Sequence, residues 1–189
     1  MRIIAGAWRG RKVAAPPGDS TRPTSDRTRE TLFSMLTSRL GSFEGLAVAD
    51  LFAGSGALGL EALSRGAASC IFVEQDAAAI KALRANIDHL DARSHCDVRA
   101  ASVMTLGIAK APLDLILMDP PYGSGAGEVA LDRLLRLGWI GEATWISLET
   151  VFNEEPEIKG LAVESDRKVG KARITLLRLA SSAIRGETE

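Results

Sequence analysis

The chain is expected to fold as an α/β protein built on a doubly wound, mostly parallel seven-stranded sheet with an antiparallel C-terminal hairpin and a small N-terminal β-hairpin arm. Three observations predict this class. Short apolar runs alternate with stretches of helical spacing between Leu46 and Leu137. A glycine-rich turn follows the first of those runs, where a strand should give way to a helix. The last two runs, Leu161–Ser165 and Ala172–Leu179, have no helical stretch between them and predict a hairpin at the sheet edge.

Taken in order, residues 1–14 alternate loosely, with Ile4, Trp8 and Val13 around a turn at Trp8-Arg9-Gly10, and predict a basic β-hairpin. Ala15-Pro16-Pro17-Gly18 interrupts regular structure. Thr24, Ser25 and Asp26 offer N-cap oxygens to a helix from Arg27 to Leu40, whose Leu32, Phe33, Leu36 and Leu40 share a face. A buried strand is expected over Leu46–Phe52, a helix over Leu58–Arg65, a strand over Ser69–Glu74 and a helix over Ala77–Leu90. Val98–Val103 predicts a third strand, and the strongly apolar Leu113–Met118 a fourth, central one covered on both faces. Val129–Leu137 is helical in pattern, and Thr144–Glu149 predicts the fifth strand. The expected division is an arm and linker over 1–20, a sheet domain over 21–181 and a polar tail over 182–189.

With 189 residues, 46% of them hydrophobic, one domain can bury its own core. No run approaches the roughly 20 apolar residues of a membrane span. Met1–Gly6 lacks the apolar stretch of a secretion signal, so a cytoplasmic location is expected. Cys70 and Cys96 lie in apolar contexts that suit reduced thiols rather than a disulfide. His89 and His95 flank a polar loop with no second ligand type at metal spacing, and no metal is expected. Trp139 and Trp145 lie in core-like contexts, whereas Trp8 suits packing or stacking on a base equally. Net charge is −1, yet residues 1–30 hold seven Lys/Arg against three acids, a balance of +4 that leaves −5 for the rest. An arm that meets phosphate and a merely solvated basic surface both fit that asymmetry.

The glycine turn reads Asp50-Leu51-Phe52-Ala53-Gly54-Ser55-Gly56-Ala57-Leu58-Gly59, and its three glycines satisfy the dinucleotide pattern GxGxxG. Glu74 lies 20 residues beyond Gly54 at the end of the next strand, where a carboxylate can accept two ribose hydroxyls. Alone, this set suits a nicotinamide cofactor as well as S-adenosylmethionine. Asp50 tips the balance. An acid there repels a pyrophosphate but suits the cationic methionine end of the methyl donor. The candidate cofactor residues are therefore Asp50, Phe52, Ala53, Gly54, Ser55, Gly56, Glu74 and Gln75, together with Asp119 of the motif described next.

Asp119-Pro120-Pro121-Tyr122 follows the central strand, at the carboxyl end where such sheets place ligands. Two prolines fix φ and remove two amide donors, leaving a stiff loop. Asp119 and the Pro120 carbonyl can each accept a proton of a planar NH2 group, which orients the nitrogen and keeps its lone pair out of the ring. Tyr122, the one tyrosine, can stack on a flipped base. These four residues are the catalytic candidates. Methyl transfer here is mostly positioning, with the methyl carbon about 3 Å from the nitrogen. Asp119 orients first and accepts a proton second.

Together these residues resemble the small-subunit ribosomal RNA guanine-N2 methyltransferases of the RsmD type, a bacterial family, over nearly the whole chain. Met1–Gly6 with Trp8-Arg9-Gly10-Arg11-Lys12 resembles the family's N-terminal arm. Arg22-Pro23-Thr24-Ser25-Asp26-Arg27, followed by Arg29-Glu30-Thr31-Leu32-Phe33, resembles its entry-helix signature. Asp50–Gly59 and Asp119–Tyr122 match its cofactor and catalytic motifs. The resemblance implies a Rossmann-like class I methyltransferase that uses S-adenosylmethionine to make N2-methylguanine in 16S ribosomal RNA, and whose partner is that RNA or the assembling small subunit. A monomer that needs neither metal nor membrane is expected. Two departures stand out. The family carries an acid after the third strand near the cofactor adenine, where this chain has Ala100-Ala101-Ser102-Val103, leaving Ser102, or Asp97 in a shifted register, for that contact. Val169 replaces the family's aromatic before Gly170-Lys171. Arg9, Arg11, Lys12, Arg22, Arg27, Arg29 and Lys171 are the expected RNA contacts.

Two rivals use the same residues differently. An adenine-N6 methyltransferase of DNA or RNA also presents an NH2 group to Asp-Pro-Pro-Tyr, although 189 residues leave little room for a separate target-recognition domain. A nicotinamide oxidoreductase needs a proton donor such as a Tyr-Lys pair, and the one tyrosine sits between Pro121 and Gly123.

Overall fold

The computed structural model describes residues 1–16 and 26–181. Seven strands form one sheet in the order β3-β2-β1-β4-β5-β7-β6. In chain order, α1 spans Asp26–Leu40, β1 Ala47–Leu51, α2 Ala57–Ser64, β2 Ser69–Glu74, α3 Ala77–Leu90 and β3 Cys96–Ala100. Then come β4 Leu115–Met118, α4 Ala126–Arg136, β5 Trp145–Val151, β6 Leu161–Val169 and β7 Ala172–Leu179. The pairs β1·β2, β2·β3, β1·β4 and β4·β5 are parallel, whereas β7 runs antiparallel to both β5 and β6. The expected architecture is therefore present.

The central position of β4 follows from its composition. All four of its residues are buried, and their side chains alternate between two cores because successive residues of a strand face opposite sides. Leu115 and Leu117 join Leu32, Phe33, Leu36, Leu60, Phe72 and Leu83 on the face covered by α1, α2 and α3. Ile116 and Met118 join Leu131, Leu134, Trp139, Ile146 and Leu148 on the face covered by α4. Trp139 is buried there, its Nε1 donating to the Gly107 carbonyl at 2.9 Å, and Trp145 packs against the first core. The third strand begins two residues earlier than the expected Val98 and stops at Ala100, because Ser102 caps a 3-10 turn over Val103–Thr105 and ends the ladder.

The N-terminal hairpin is reduced to one antiparallel bridge, Arg2↔Lys12, flanked by Ile3 N–H to the Arg11 carbonyl at 3.0 Å and Gly10 N–H to the Ile3 carbonyl at 2.8 Å. A two-stranded ladder this short is marginal alone, and tertiary contacts hold it instead. Ile3 and Val13 are only 2% exposed within the first core, and Trp8 packs against it. Buried Glu61 of α2 accepts the amides of Ile4 and Ala5 at 2.7 and 3.1 Å. Gly6 lies against the end of α2 with φ +83°, where a Cβ would fall 1.7 Å from the Ser64 carbonyl oxygen. The arm is fastened to the domain along its length.

Candidate active site

The strand order reverses between β1 and β4, and a cleft of about 630 Å³ opens there at the carboxyl ends of the strands. Its walls include Asp50, Phe52 to Ser55, Glu74, Gln75, Ser102 and Asp119 to Tyr122. Two motifs nearly 70 residues apart in the chain thus meet in one cavity, because β1 and β4 are hydrogen-bonded neighbours. Met1, Ala15, Pro16, Arg27 and Thr28 from the arm and α1 complete one side, and Val169 to Ala172 from the β6–β7 turn another.

At one end of the cleft the backbone leaves β1 through left-handed positions at Phe52 (φ +62°), Gly54 (φ +55°) and Gly56 (φ +80°). Phe52 has a Cβ, so its conformation costs energy that the surrounding loop must hold in place. The glycines serve different ends. Gly54 faces open space. Gly56 and Gly59 do not line the cleft; a Cβ on Gly56 would meet Leu83 Cδ1 at 2.3 Å, and one on Gly59 would meet Phe72 Cε1 at 2.4 Å. Gly56, expected among the cofactor contacts, instead lets α2 settle on the sheet and α3.

Two carboxylates organise this end. Glu74 accepts Gly54 N–H at 2.8 Å through Oε2, and Gln75 and Asp76 N–H at 2.7 and 2.8 Å through Oε1. It thereby ties the glycine loop to the exit of β2 while lining the cleft. Asp50 is 1% exposed and accepts Gly59 N–H at 2.8 Å. Burial pushes its carboxyl well above the usual carboxylate range; the Gly59 bond opposes that shift, and the charges of Asp119 and Glu74 add to it. A buried carboxylate so placed is suited to a cation and poorly suited to a phosphate. These two carboxylates therefore fit the ammonium and the sugar of S-adenosylmethionine, while the amides of Ala53 and Gly54 are held by Val73 and Glu74 and fix the loop between them.

Ser102 lines the same cavity, its Oγ accepting Met104 N–H at 3.2 Å. The alternative acid, Asp97, stands opposite Ile71, three steps before the Glu74↔Ala100 pair, and its exposed carboxylate holds Arg99 at 2.9 Å. It is not among the residues that line the cleft, whereas Ser102 is.

At the other end, Asp119 follows β4 directly, Pro120 is buried and Pro121 is exposed. Ser124 Oγ donates to the Pro121 carbonyl at 2.6 Å and accepts Ala126 N–H at 3.2 Å, joining the loop to the start of α4. The Tyr122 hydroxyl donates to Glu149 Oε1 at 2.5 Å. Glu149 is a site residue that the motifs do not reveal. Its signal was a carboxylate following Ile146 and Leu148 in an expected inner strand, where an acid is costly unless used. Asn86 was missed similarly. It interrupts the apolar stripe of α3, and its buried amide bonds Ala14 through both backbone groups, at 2.8 and 2.9 Å, and the Ser55 carbonyl at 3.0 Å.

The basic residues separate into distinct groups. Arg9 and Lys12 are exposed on the arm, and exposed Arg27 and Lys171 line the cleft mouth. Arg29 is 0% exposed and spans Asp26 and the Arg2 carbonyl, each at 2.7 Å, so it holds the arm and does not face RNA. Arg11 donates to the carbonyls of His89 and Leu90 at the end of α3, a cation on a helix C-terminus. Arg22 lies outside the described residues. Both cysteines are free, and burial pushes the Cys96 thiol up to about 12, which suits inert reduced thiols.

A family profile described as "Conserved hypothetical protein 95" matches residues 1–178. The chain belongs to that family. Relatives include ribosomal RNA small subunit methyltransferase D of Escherichia coli K12, 39% identical over 79% of this chain and 74% of that protein. The Haemophilus influenzae protein of the same name is 37% identical over 79% and 78%. A solved Escherichia coli structure assigned as a methyltransferase superposes with a TM-score of 0.83 at 35% identity, covering 95% of this chain and 97% of that one.

Proposed function

We propose that this chain methylates the exocyclic N2 amine of a guanine in 16S ribosomal RNA, with S-adenosylmethionine as donor. The observation that carries the reading is the meeting of two motifs in one cleft: the Asp50–Glu74 end, suited to a cationic nucleoside, and Asp119–Tyr122, suited to a planar amine. The names of the relatives above give the substrate class. When bound, the donor supplies an electrophilic methyl group. The protein's own part is positioning. Asp50 meets the ammonium, Glu74 the ribose hydroxyls and Ser102 the adenine side, while the loop from Phe52 to Ser55, its Ala53 and Gly54 amides tied to Val73 and Glu74, forms the wall along the ligand. Asp119 accepts one amine proton of the base, aims the nitrogen lone pair and takes up the proton released after transfer. Tyr122 closes on the base, exposed Arg27 and Lys171 hold phosphates at the mouth, and Arg9 and Lys12 hold others along the arm. The working form is a cytoplasmic monomer acting on the RNA or on the assembling small subunit.

The test is incubation with isotopically labelled donor and three acceptors: undermodified small subunits, free 16S RNA and DNA. Nucleoside mass analysis should return N2-methylguanosine from a ribosomal acceptor. Methylated adenine in any acceptor would replace guanine with the adenine-N6 reading, and no label in RNA would overturn the assignment to ribosomal RNA.

A further inference from the structure

We infer that Glu149 is a positioning residue that sets the Tyr122 ring as a wall of the acceptor pocket. The inference rests on the reading above, in which Tyr122 closes on the base. Three observations carry it. Glu149 is 6% exposed yet lines the cleft, so its carboxylate has been taken from water on a strand whose residues from Ile146 to Thr150 are all buried. Burial of such a group is expensive unless hydrogen bonds satisfy it. Its Oε1 accepts the Tyr122 hydroxyl at 2.5 Å, across 27 residues of sequence. Finally, β4 and β5 are parallel, with Met118 opposite Leu148, so the next register step sets Asp119 beside Glu149. The strand that carries Glu149 is thus the neighbour of the strand that carries the amine-orienting acid.

This geometry answers a problem left by the loop. The two prolines stiffen the backbone, but Tyr122 follows them and precedes Gly123, at φ +68°, so its ring is not set by the prolines. A phenol has two side-chain torsions; anchoring the hydroxyl fixes the first, and because the phenolic O–H prefers the plane of the ring, the direction of the bond restrains the second. The bond to Glu149 does this from rigid β5, which pairs with β4 on one side and β7 on the other. The ring then stands ready before RNA arrives, and its face is presented without an ordering step on binding.

The chain contains one tyrosine, which makes the interaction directly readable. Variants Glu149→Ala, Glu149→Gln and Tyr122→Phe, with the double variant Glu149→Ala/Tyr122→Phe, are compared for RNA methylation, S-adenosylhomocysteine affinity and ultraviolet titration of the phenol. Glu149→Ala should lower kcat/KM for RNA by roughly tenfold, the size of a lost charged hydrogen bond, while changing S-adenosylhomocysteine affinity less than about twofold. Glu149→Gln retains an acceptor oxygen and should recover most of the rate. The double variant should be no slower than the slower single variant, because both remove the same bond. The phenol should titrate at lower pH in Glu149→Gln, since a carboxylate acceptor favours the neutral phenol. Multiplicative losses in the double variant, or a phenol titration identical in parent and Glu149→Gln, would overturn the inference. The titration needs no RNA: if no nucleic acid is methylated, the proposed function falls, and the spectrum still decides whether Glu149 holds Tyr122.

Discussion

The two ends of the cleft are assembled by different means. At the donor end, side chains are hydrogen-bonded to backbone: Asp50 to Gly59, Glu74 to the amides of Gly54, Gln75 and Asp76, and Asn86 to Ala14 and Ser55. At the acceptor end, the loop turns through Gly123 and Gly125 at positive φ, Pro121 is exposed, and the ring of Tyr122 reaches a side chain on another strand. In the proposed function the donor end binds the same small molecule in every cycle, and its shape is set within the domain. The acceptor end, on the same reading, must admit a base drawn from a folded RNA. The donor end is pre-organised by bonds to backbone, and the acceptor end by one bond between two side chains.

The largest test of this contrast is at the acceptor end. Asp119→Ala should lower turnover by roughly a hundredfold or more, in the range of a lost transition-state donor or acceptor, with little change in melting temperature. Asp119→Asn should be milder because an amide oxygen still accepts one proton. Single-turnover kinetics check this, and parental rates in both variants would remove Asp119 from the chemistry. At the donor end, Glu74→Ala should weaken S-adenosylhomocysteine binding by roughly ten- to a hundredfold, since a hydrogen bond to a charged group contributes about 1.5–3 kcal/mol. Calorimetry showing unchanged affinity would mean that Glu74 only braces the loop.

Asn86→Ala removes three hydrogen bonds joining the arm, α3 and the glycine loop. It should cost about 1–3 kcal/mol and lower the melting temperature by a few degrees. A stable variant with weakened cofactor binding would show that the amide shapes the loop more than it holds the arm. Arg9→Ala/Lys12→Ala should leave cofactor affinity alone and flatten the salt dependence of RNA binding by roughly one log–log unit per lost phosphate contact. Parallel slopes would move the RNA surface toward Arg27 and Lys171. Arg11 belongs in a separate experiment, because it caps α3 and its loss would also reduce stability.

The smallest effect concerns Asp50. Its carboxyl is raised well above the ordinary value by burial, so the folded chain keeps a proton that the unfolded chain releases near pH 4. The sign follows: this group favours the folded state at acid pH, and its contribution declines as pH climbs from about 4 through the raised value. Asp50→Asn keeps an acceptor for Gly59 and should flatten that decline in a melting-temperature series against pH. A parental slope in the variant would show that Asp50 stays ionised in the free protein.

Much of this arrangement was determined by the sequence alone. Apolar runs one strand long and stripes at helical spacing placed β2, α3 and β7 at their observed bounds, because those signals report each residue's relation to neighbours two to four positions away. The glycine turn and Asp119–Tyr122 were equally legible, since a tight turn and a stiff loop need particular residues locally. Tertiary structure decided the rest. Arg29 looked like a phosphate contact and is buried under the arm; Gly56 looked like a ligand contact and is a packing position; Asp97 was an alternative to Ser102 and stands at the wrong height on β3. Glu61, Asn86 and Glu149 each meet partners 27 to 72 residues away. Whether a polar side chain faces water, backbone or a ligand depends on which distant segment packs against it, and the strand order that brings those segments together is a property of the whole sheet.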